Sequence, residues 1–136
     1  VHEQGLAHLN LKPANLRRRQ QDGKIVPIDF AFLKAITALT AHPDQPLLPQ
    51  HLGTPGYIPA TTNGDWSEVE CDIYAIGIIG IQALTGIEPT QLPTDKQTGE
   101  VIWRFAQPGK LIVHVSPALE KILNKMISHC SETRYT

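Results

Sequence analysis

The feature of this chain that most constrains its fold is an apolar run at residues 73–84, interrupted only by Gln82. A helix built from this run would be apolar on every side, and such a helix must be surrounded by protein. The run is shorter than the roughly 18 residues that a membrane-spanning helix needs. It therefore predicts the central helix of a folded core, with Asp72 as the capping residue at its start.

Local signals outline the remaining elements. Asp22-Gly23 is a turn signal between two short candidate strands, at residues 15–18 and 24–28, which would form one hairpin. Residues 31–64 are rich in Pro, Thr and Gly, and a stretch this long without periodicity predicts a functional loop.

A second helix is predicted near the end of the chain. Ser116-Pro117 supplies a cap and a first-turn proline for it. Apolar residues then recur at helical spacing, which predicts one face buried in the core. They are Leu119, Ile122, Leu123, Met126 and Ile127.

Composition excludes several classes of function. Lys and Arg total 12 against 13 Asp and Glu, so the net charge of −1 gives no reason to expect nucleic acid or an anionic membrane as a partner. Cys71 and Cys130 match no metal spacing and are expected to be reduced thiols. With no charged-then-apolar leader at its start, the chain is expected to be cytoplasmic.

The chemistry-bearing residues lie in two short motifs. Residues 8–15 read His-Leu-Asn-Leu-Lys-Pro-Ala-Asn, and Asp29-Phe30-Ala31 follows fourteen positions after Asn15. Taken singly, Asp29 is typical of a turn and Asn15 of a loop. Together the two motifs place a Lys, an Asn and an Asp where two loops could converge on a nucleotide phosphate and its metal ions.

These motifs, with three later ones, resemble those of protein kinases, in the style of bacterial serine/threonine kinases of the eukaryotic-like type. The later motifs are Gly53–Tyr57, Cys71–Gly77 and Arg134-Tyr135. The resemblance implies an α+β kinase-like fold, of which this chain is the mostly helical C-terminal lobe with one small hairpin. Residues 1–136 would then be a partial domain, without the N-terminal lobe and most of the preceding helix.

The resemblance also implies roles in phosphoryl transfer from ATP. Asp29 would hold one Mg²⁺, Asn15 a second Mg²⁺, and Lys12 would stabilise charge on the transferred phosphate. Both Asn15 and Asp29 are thus expected at the nucleotide and at the metal. The catalytic-base position is occupied by Asn10.

Other residues would position the site. His8 and Phe30 would hold the two loops in register, and Thr54 would orient the catalytic loop. Asp72 would accept hydrogen bonds from that loop's backbone, and Arg134 would close the domain.

Several positions depart from the family pattern. Asn10 replaces the carboxylate that accepts the substrate proton, and Leu9 replaces an arginine that pairs with a phosphorylated activation segment. Ala31 replaces a glycine. Thr61 stands where a glutamate would pair with Arg134, so the charge of that arginine is expected to lack its usual partner.

Three hypotheses about the function of the chain remain open. The first is a serine/threonine kinase acting on a protein substrate, with its other half supplied elsewhere. The second is a non-catalytic pseudokinase module, in which a protein partner covers the apolar flank of the 73–84 helix. The third is a truncated remnant of a kinase gene. Because Asn10 replaces the catalytic base and the ATP-clamping lobe is missing, the chain alone is expected to be inactive. Binding of Mg²⁺ and ATP is left open for this chain, because the adenine pocket would lie largely in the missing half.

Overall fold

The computed structural model describes residues 7–30, 53–60, 66–104, 113–130 and 132–135. Of the loop predicted at 31–64, it therefore describes only residues 53–60, which form turns and bends. Within the described ranges, two α-helices, one two-stranded sheet and two short 3₁₀ helices make up the fold. No helix in those ranges is long and apolar enough to cross a membrane.

The predicted hairpin is present and is slightly shorter than expected. Strand β1, Leu16–Arg18, pairs antiparallel with β2, Ile25–Pro27, and Leu16 lies opposite Pro27. Asn15 belongs instead to a 3₁₀ turn, Pro13–Asn15. Gly23 adopts a φ of +71° at the turn, a conformation that glycine reaches without the steric cost of a Cβ.

The central helix, α1, spans Glu68–Thr85 and begins before the predicted cap. Ser67 is the N-cap: its hydroxyl accepts from the Glu70 amide at 3.3 Å, and the Glu70 carboxylate accepts from the Ser67 amide at 2.7 Å. Ser67 and Glu70 thus form a reciprocal capping box, which gives hydrogen-bond partners to two backbone amides at the start of the helix. The prediction that Asp72 caps this helix is therefore wrong, and the Asp72 carboxylate is available to other partners.

Most of α1 is buried, but one flank is not. Ile78 and Ile81 are at most 1% exposed, whereas Ile76 is 48% exposed and Leu84 is 38% exposed. The expected enclosure of the helix is therefore incomplete along this flank.

The second helix, α2, spans Pro117–Ile127, and the Ser116 hydroxyl accepts from the Leu119 amide at 3.2 Å. The cap and the first-turn proline are as predicted. The apolar stripe divides, however: Leu123 and Ile127 are buried, while Leu119 and Ile122 are 38% and 45% exposed. Placing the whole stripe in the core was wrong, because α1 covers only one side of it.

The two helices approach each other at glycines of α1. A Cβ on Gly77 would lie 2.8 Å from Cγ2 of Ile127 and 2.9 Å from Cβ of Met126. A Cβ on Gly80 would meet only the end of the Leu123 side chain, at 3.1 Å. The shared core also includes Tyr57, Tyr74, Leu92 and Trp103.

Candidate functional site

The loop that carries the first motif is anchored on α1 by Asp72. This side chain is 1% exposed, and its two carboxylate oxygens accept from the backbone amides of His8 at 2.6 Å and Leu9 at 2.7 Å. The expected contact between Asp72 and the loop backbone is thus present. Leu9 has a φ of +58°, a left-handed conformation that costs a non-glycine residue about 1–2 kcal/mol. The two charge-assisted hydrogen bonds offset that cost.

His8 connects the two motifs. Its Nε2 lies 3.0 Å from the Ile28 carbonyl oxygen, and its Nδ1 accepts from the Asn10 amide at 3.2 Å. With Nδ1 as an acceptor, the Nε2–H of the ring is the donor to the Ile28 carbonyl oxygen. The ring also packs on Phe30, with the ring centroids 4.3 Å apart, so His8 and Phe30 lie in contact between the two loops.

Asn10 lies at the centre of the site and is 1% exposed. Its side-chain oxygen accepts from the Thr54 hydroxyl at 3.1 Å. Its side-chain nitrogen donates to the carbonyl oxygen of Asp29 at 3.4 Å and to Oδ2 of the same residue at 3.3 Å. One amide therefore joins both motifs to the segment around Thr54.

The other predicted nucleotide and metal residues surround Asn10. Asn15 is buried, and its side-chain nitrogen donates to the Asn10 carbonyl oxygen at 2.8 Å. Asp29 is exposed and has a φ of +60°. Lys12 is half-buried, and its ammonium group forms no ion pair with another residue in the described ranges.

The segment that carries Thr54 rests on α1. The Tyr57 amide donates to the Thr54 carbonyl oxygen at 3.0 Å, and the Tyr57 hydroxyl donates to Oε1 of Gln82 at 2.5 Å. Burial is the main reason that the pKa of Tyr57 is raised. A Cβ on Gly56 would lie 2.8 Å from Cβ of Pro89, so this turn admits only glycine without rearrangement.

Comparison with known proteins agrees with this arrangement of motifs. The family model described as "Protein kinase domain" matches residues 1–136. The chain belongs to the protein kinase family.

The curated relatives of this chain include bacterial and human protein kinases. Serine/threonine-protein kinase C of Synechocystis sp. PCC 6803 is 32% identical over 99% of this chain, and serine/threonine-protein kinase PknA of Nostoc sp. PCC 7120 is 32% identical over all of it. Human ribosomal protein S6 kinase alpha-2 is 27% identical over 93% of the chain. The chain spans only 24% and 23% of the length of the two cyanobacterial kinases. No solved structure matches the chain significantly.

The side-chain oxygens of the candidate site could supply only part of the coordination shell of a Mg²⁺ ion. Asp29 offers a carboxylate, and the Asn15 side-chain oxygen accepts no hydrogen bond from a described residue. Both are hard oxygen ligands of the kind that Mg²⁺ prefers. One carboxylate oxygen of Asp29 is already an acceptor for Asn10, however, and the described residues contain no group of three or more His, Cys, Asp or Glu side chains that could hold a metal ion. Phosphate oxygens and water would have to complete any coordination shell.

Arg134 has a partner that the sequence analysis missed. Its Nε donates to Oε1 of Glu70 at 2.6 Å, and its guanidinium carbon lies 4.2 Å from the centroid of the Trp66 ring. The Arg134 charge, which was expected to lack its usual partner at position 61, is paired with Glu70 instead. The spacing Ser67-x-x-Glu70 just before an apolar run was the available signal, since it marks a capping box. Thr61, like Ala31, lies outside the described residues.

The Glu70 carboxylate is held in its charged form. Burial raises its pKa, but hydrogen bonds from Ser67 and Arg134 together outweigh burial and bring it below the ordinary value of 4.5. Glu70 thus links the start of α1 to the end of the domain.

His129 was not singled out from the sequence. Its ring lies 5.8 Å from that of Trp66 and 6.1 Å from that of Tyr74. Both ring nitrogens are buried and have no hydrogen-bond partner within the described residues. Burial is the main reason that its pKa lies below the ordinary value of 6.5.

Proposed function

We propose that this chain is a non-catalytic protein kinase lobe, with residues 1–136 forming the C-terminal part of a kinase-like domain. The observation that carries the proposal is Asn10, which is buried at the position of the catalytic base and hydrogen-bonded through both ends of its amide. An amide takes up no proton near neutral pH. A positioned base contributes about 10²–10⁴ to the rate, so its loss alone lowers phosphoryl transfer to that extent.

The other residues of the site keep chemistry that suits a nucleotide. In a complete kinase domain, Asp29 and Asn15 would hold Mg²⁺, and Lys12 would contact the phosphate of ATP through its ammonium group. When bound, the metal ion neutralises charge on the phosphates. Thr54 and Asp72 would orient the loop, as their hydrogen bonds to Asn10 and to the loop backbone suggest.

Phosphate transfer from radiolabelled ATP to a protein substrate tests the proposal. We expect the 136-residue chain to transfer no more label than its Asp29→Ala variant. Transfer clearly above that control would refute the proposal.

A fusion protein tests the role of Asn10 more directly. The segment of the Synechocystis kinase C that precedes the matched region would be joined to this chain, once with Asn10 and once with Asn10→Asp. We expect the Asp variant to exceed the Asn parent by about 10²-fold or more, because it restores the base. Equal rates in the two fusions would show that Asn10 is not what limits transfer.

A second candidate function is docking on a partner protein through the exposed flank of α1. It is favoured by Ile76 and Leu84, two large apolar side chains that are 48% and 38% exposed on one buried helix. The occupant we propose is an apolar surface of another protein, because both exposed side chains are apolar. If the chain is purified together with such a partner, Ile76→Asp should abolish that complex. Lys96 is also exposed, and Lys96→Glu should leave the complex intact. A monodisperse monomer would count against docking.

A cytoplasmic location is also part of the proposal, and it is supported by Cys71 and Cys130, which are both free thiols.

The third hypothesis, a truncated remnant of a kinase gene, would be supported by a chain that neither folds nor binds a partner.

A further inference from the structure

The hydrogen bonds of Asn10 need an acceptor atom on one side of the side chain and a donor atom on the other, and an amide supplies both without carrying a charge. On one side, the Thr54 hydroxyl donates to the side-chain oxygen at 3.1 Å. On the other side, the side-chain nitrogen faces two oxygens of Asp29, the backbone carbonyl at 3.4 Å and Oδ2 at 3.3 Å. A carbonyl and an ionised carboxylate are both pure acceptors, so the atom between them must be a donor.

We propose that Asn10 is a positioning residue whose neutral amide bridges Thr54 and Asp29 and so holds the site together without a divalent cation. The substitution at the base position thus supplies the N–H donor that the two oxygens of Asp29 lack. This proposal goes beyond the loss of catalysis, since it assigns Asn10 a stabilising role of its own.

An aspartate at the same position would reverse the interaction. Its carboxylate would set an acceptor-only oxygen against the carbonyl and the carboxylate of Asp29 at about the same separation. Two like charges this close disfavour the folded state unless a cation lies between them. Position 10 is also 1% exposed, so a charge there would lose most of its hydration.

No described side chain neutralises Asp29 in this structure. Asp29 forms no salt bridge within the described ranges, and the ammonium of Lys12 forms none there either. The amide of Asn10 is therefore the donor that the site itself provides to Asp29. It follows that the stability of the wild-type chain should be insensitive to Mg²⁺, whereas that of an Asn10→Asp chain should depend on it.

The experiment is a set of thermal melts of the full 136-residue chain, in EDTA and in millimolar Mg²⁺ at matched ionic strength. Four proteins are compared: wild type, Asn10→Asp, Asp29→Asn, and the double variant that exchanges the two side chains. In EDTA we expect Asn10→Asp to melt about 5 °C or more below wild type. Mg²⁺ should recover most of that difference, while wild type should shift by less than about 1 °C.

The double variant separates this bridge from general damage. With Asp at position 10 and Asn at position 29, an amide again faces a carboxylate, so the double variant in EDTA should melt clearly above Asn10→Asp, although the buried charge at position 10 keeps it below wild type. This comparison holds even if Asn10→Asp alone does not fold in EDTA.

Several results would overturn the proposal. They are an Asn10→Asp chain as stable as wild type in EDTA, a double variant that is not rescued, and a wild-type melt that rises with Mg²⁺ as much as that of Asn10→Asp. A wild-type chain without a cooperative transition would also overturn it, because an unfolded chain holds no such bridge. None of these outcomes depends on phosphate transfer, so the proposed lack of catalysis stands or falls separately.

Discussion

At the scale of single residues, the buried charges of this lobe are stabilised by specific hydrogen bonds. The side chain of Arg134 is 4% exposed and that of Glu70 is 10% exposed, yet they form a 2.6 Å ion pair. Asp72, at 1% exposure, accepts from two backbone amides. Removing one member of such a set leaves a desolvated charge, which costs far more than the loss of an exposed pair.

The first prediction concerns the Glu70–Arg134 pair. Glu70→Ala should lower the free energy of unfolding by about 3–5 kcal/mol, because it removes the carboxylate that forms the buried ion pair with Arg134 and half of the capping box. Glu68→Ala, an exposed acidic residue in the same helical turn, should cost only about 0.5 kcal/mol. Urea denaturation measures both variants.

A further substitution checks the cause. Adding Arg134→Met to Glu70→Ala should recover part of the loss, since the buried guanidinium charge is then removed as well. If the second substitution lowers the stability further, loss of the ion pair is not the reason for the effect of Glu70→Ala.

The second prediction concerns pH and His129. Burial lowers the pKa of this ring below 6.5, with Arg134 acting in the same direction and Glu100 opposing it. The unfolded chain therefore binds a proton at a higher pH than the folded chain does. The free energy of unfolding should fall as the pH is lowered through 6.5, and this contribution should level off below the folded pKa.

The measurement is urea denaturation at about pH 7.5 and about pH 5.5, on wild type and on His129→Phe. The phenyl ring can pack on Trp66 and Tyr74 but cannot titrate. We expect the variant to lose less stability on acidification than wild type does. The same loss in both proteins would assign the pH dependence to other groups.

At the scale of elements, the packing of α1 on α2 depends on glycines. Alanine is favoured over glycine inside a helix by about 1 kcal/mol, so helix propensity alone would favour replacing them. At Gly77 the contact with Met126 Cβ at 2.9 Å opposes this, because that atom is fixed to the backbone. At Gly80 the neighbour is a flexible Leu123 methyl at 3.1 Å.

The third prediction follows from this difference. Gly77→Ala should destabilise the chain by about 1–3 kcal/mol, since the two helices must move apart. Gly80→Ala, the matched control three residues away, should be neutral or slightly stabilising. Thermal melts of the two variants test this directly. A Gly77→Ala chain at least as stable as wild type would mean that the helices are not held in this close contact.

At the scale of the whole molecule, the segments of the candidate site are held in place by hydrogen bonds to α1. Asp72 in α1 holds the loop of His8 and Leu9, and Tyr57 places the Thr54 segment against Gln82 of the same helix. The geometry around Asn10 therefore depends on the folding of α1 and its neighbours. Unfolding of that core would therefore also separate the residues of the candidate site.

The fourth prediction concerns folding and nucleotide. The purified chain should melt cooperatively, and millimolar Mg-ATP should raise the melting temperature by less than about 1 °C, because a ligand stabilises a fold only by binding it. Asp29 is already engaged by Asn10, which weakens its hold on a metal. A clear upward shift that Asp29→Ala removes would show instead that the site holds metal and phosphate.

The sequence by itself determined the elements that local chemistry specifies. Asp22-Gly23 predicted the hairpin, and Ser116-Pro117 predicted the start of α2, because turns and caps depend on a few adjacent residues. The ordered motifs from His8 to Arg134 indicated the kinase family, because their order and spacing along the chain are properties of the sequence.

Only the tertiary structure decided which partners these residues have. Glu70 pairs with Arg134 across 64 positions, and Asn10 joins Thr54 to Asp29 across gaps of 44 and 19 positions. Likewise, the periodicity that placed Ile122 on an apolar face could not show that α1 leaves that residue 45% exposed. Hydrogen bonds and burial depend on which distant segments meet, and periodicity or capping signals along the chain do not carry that information.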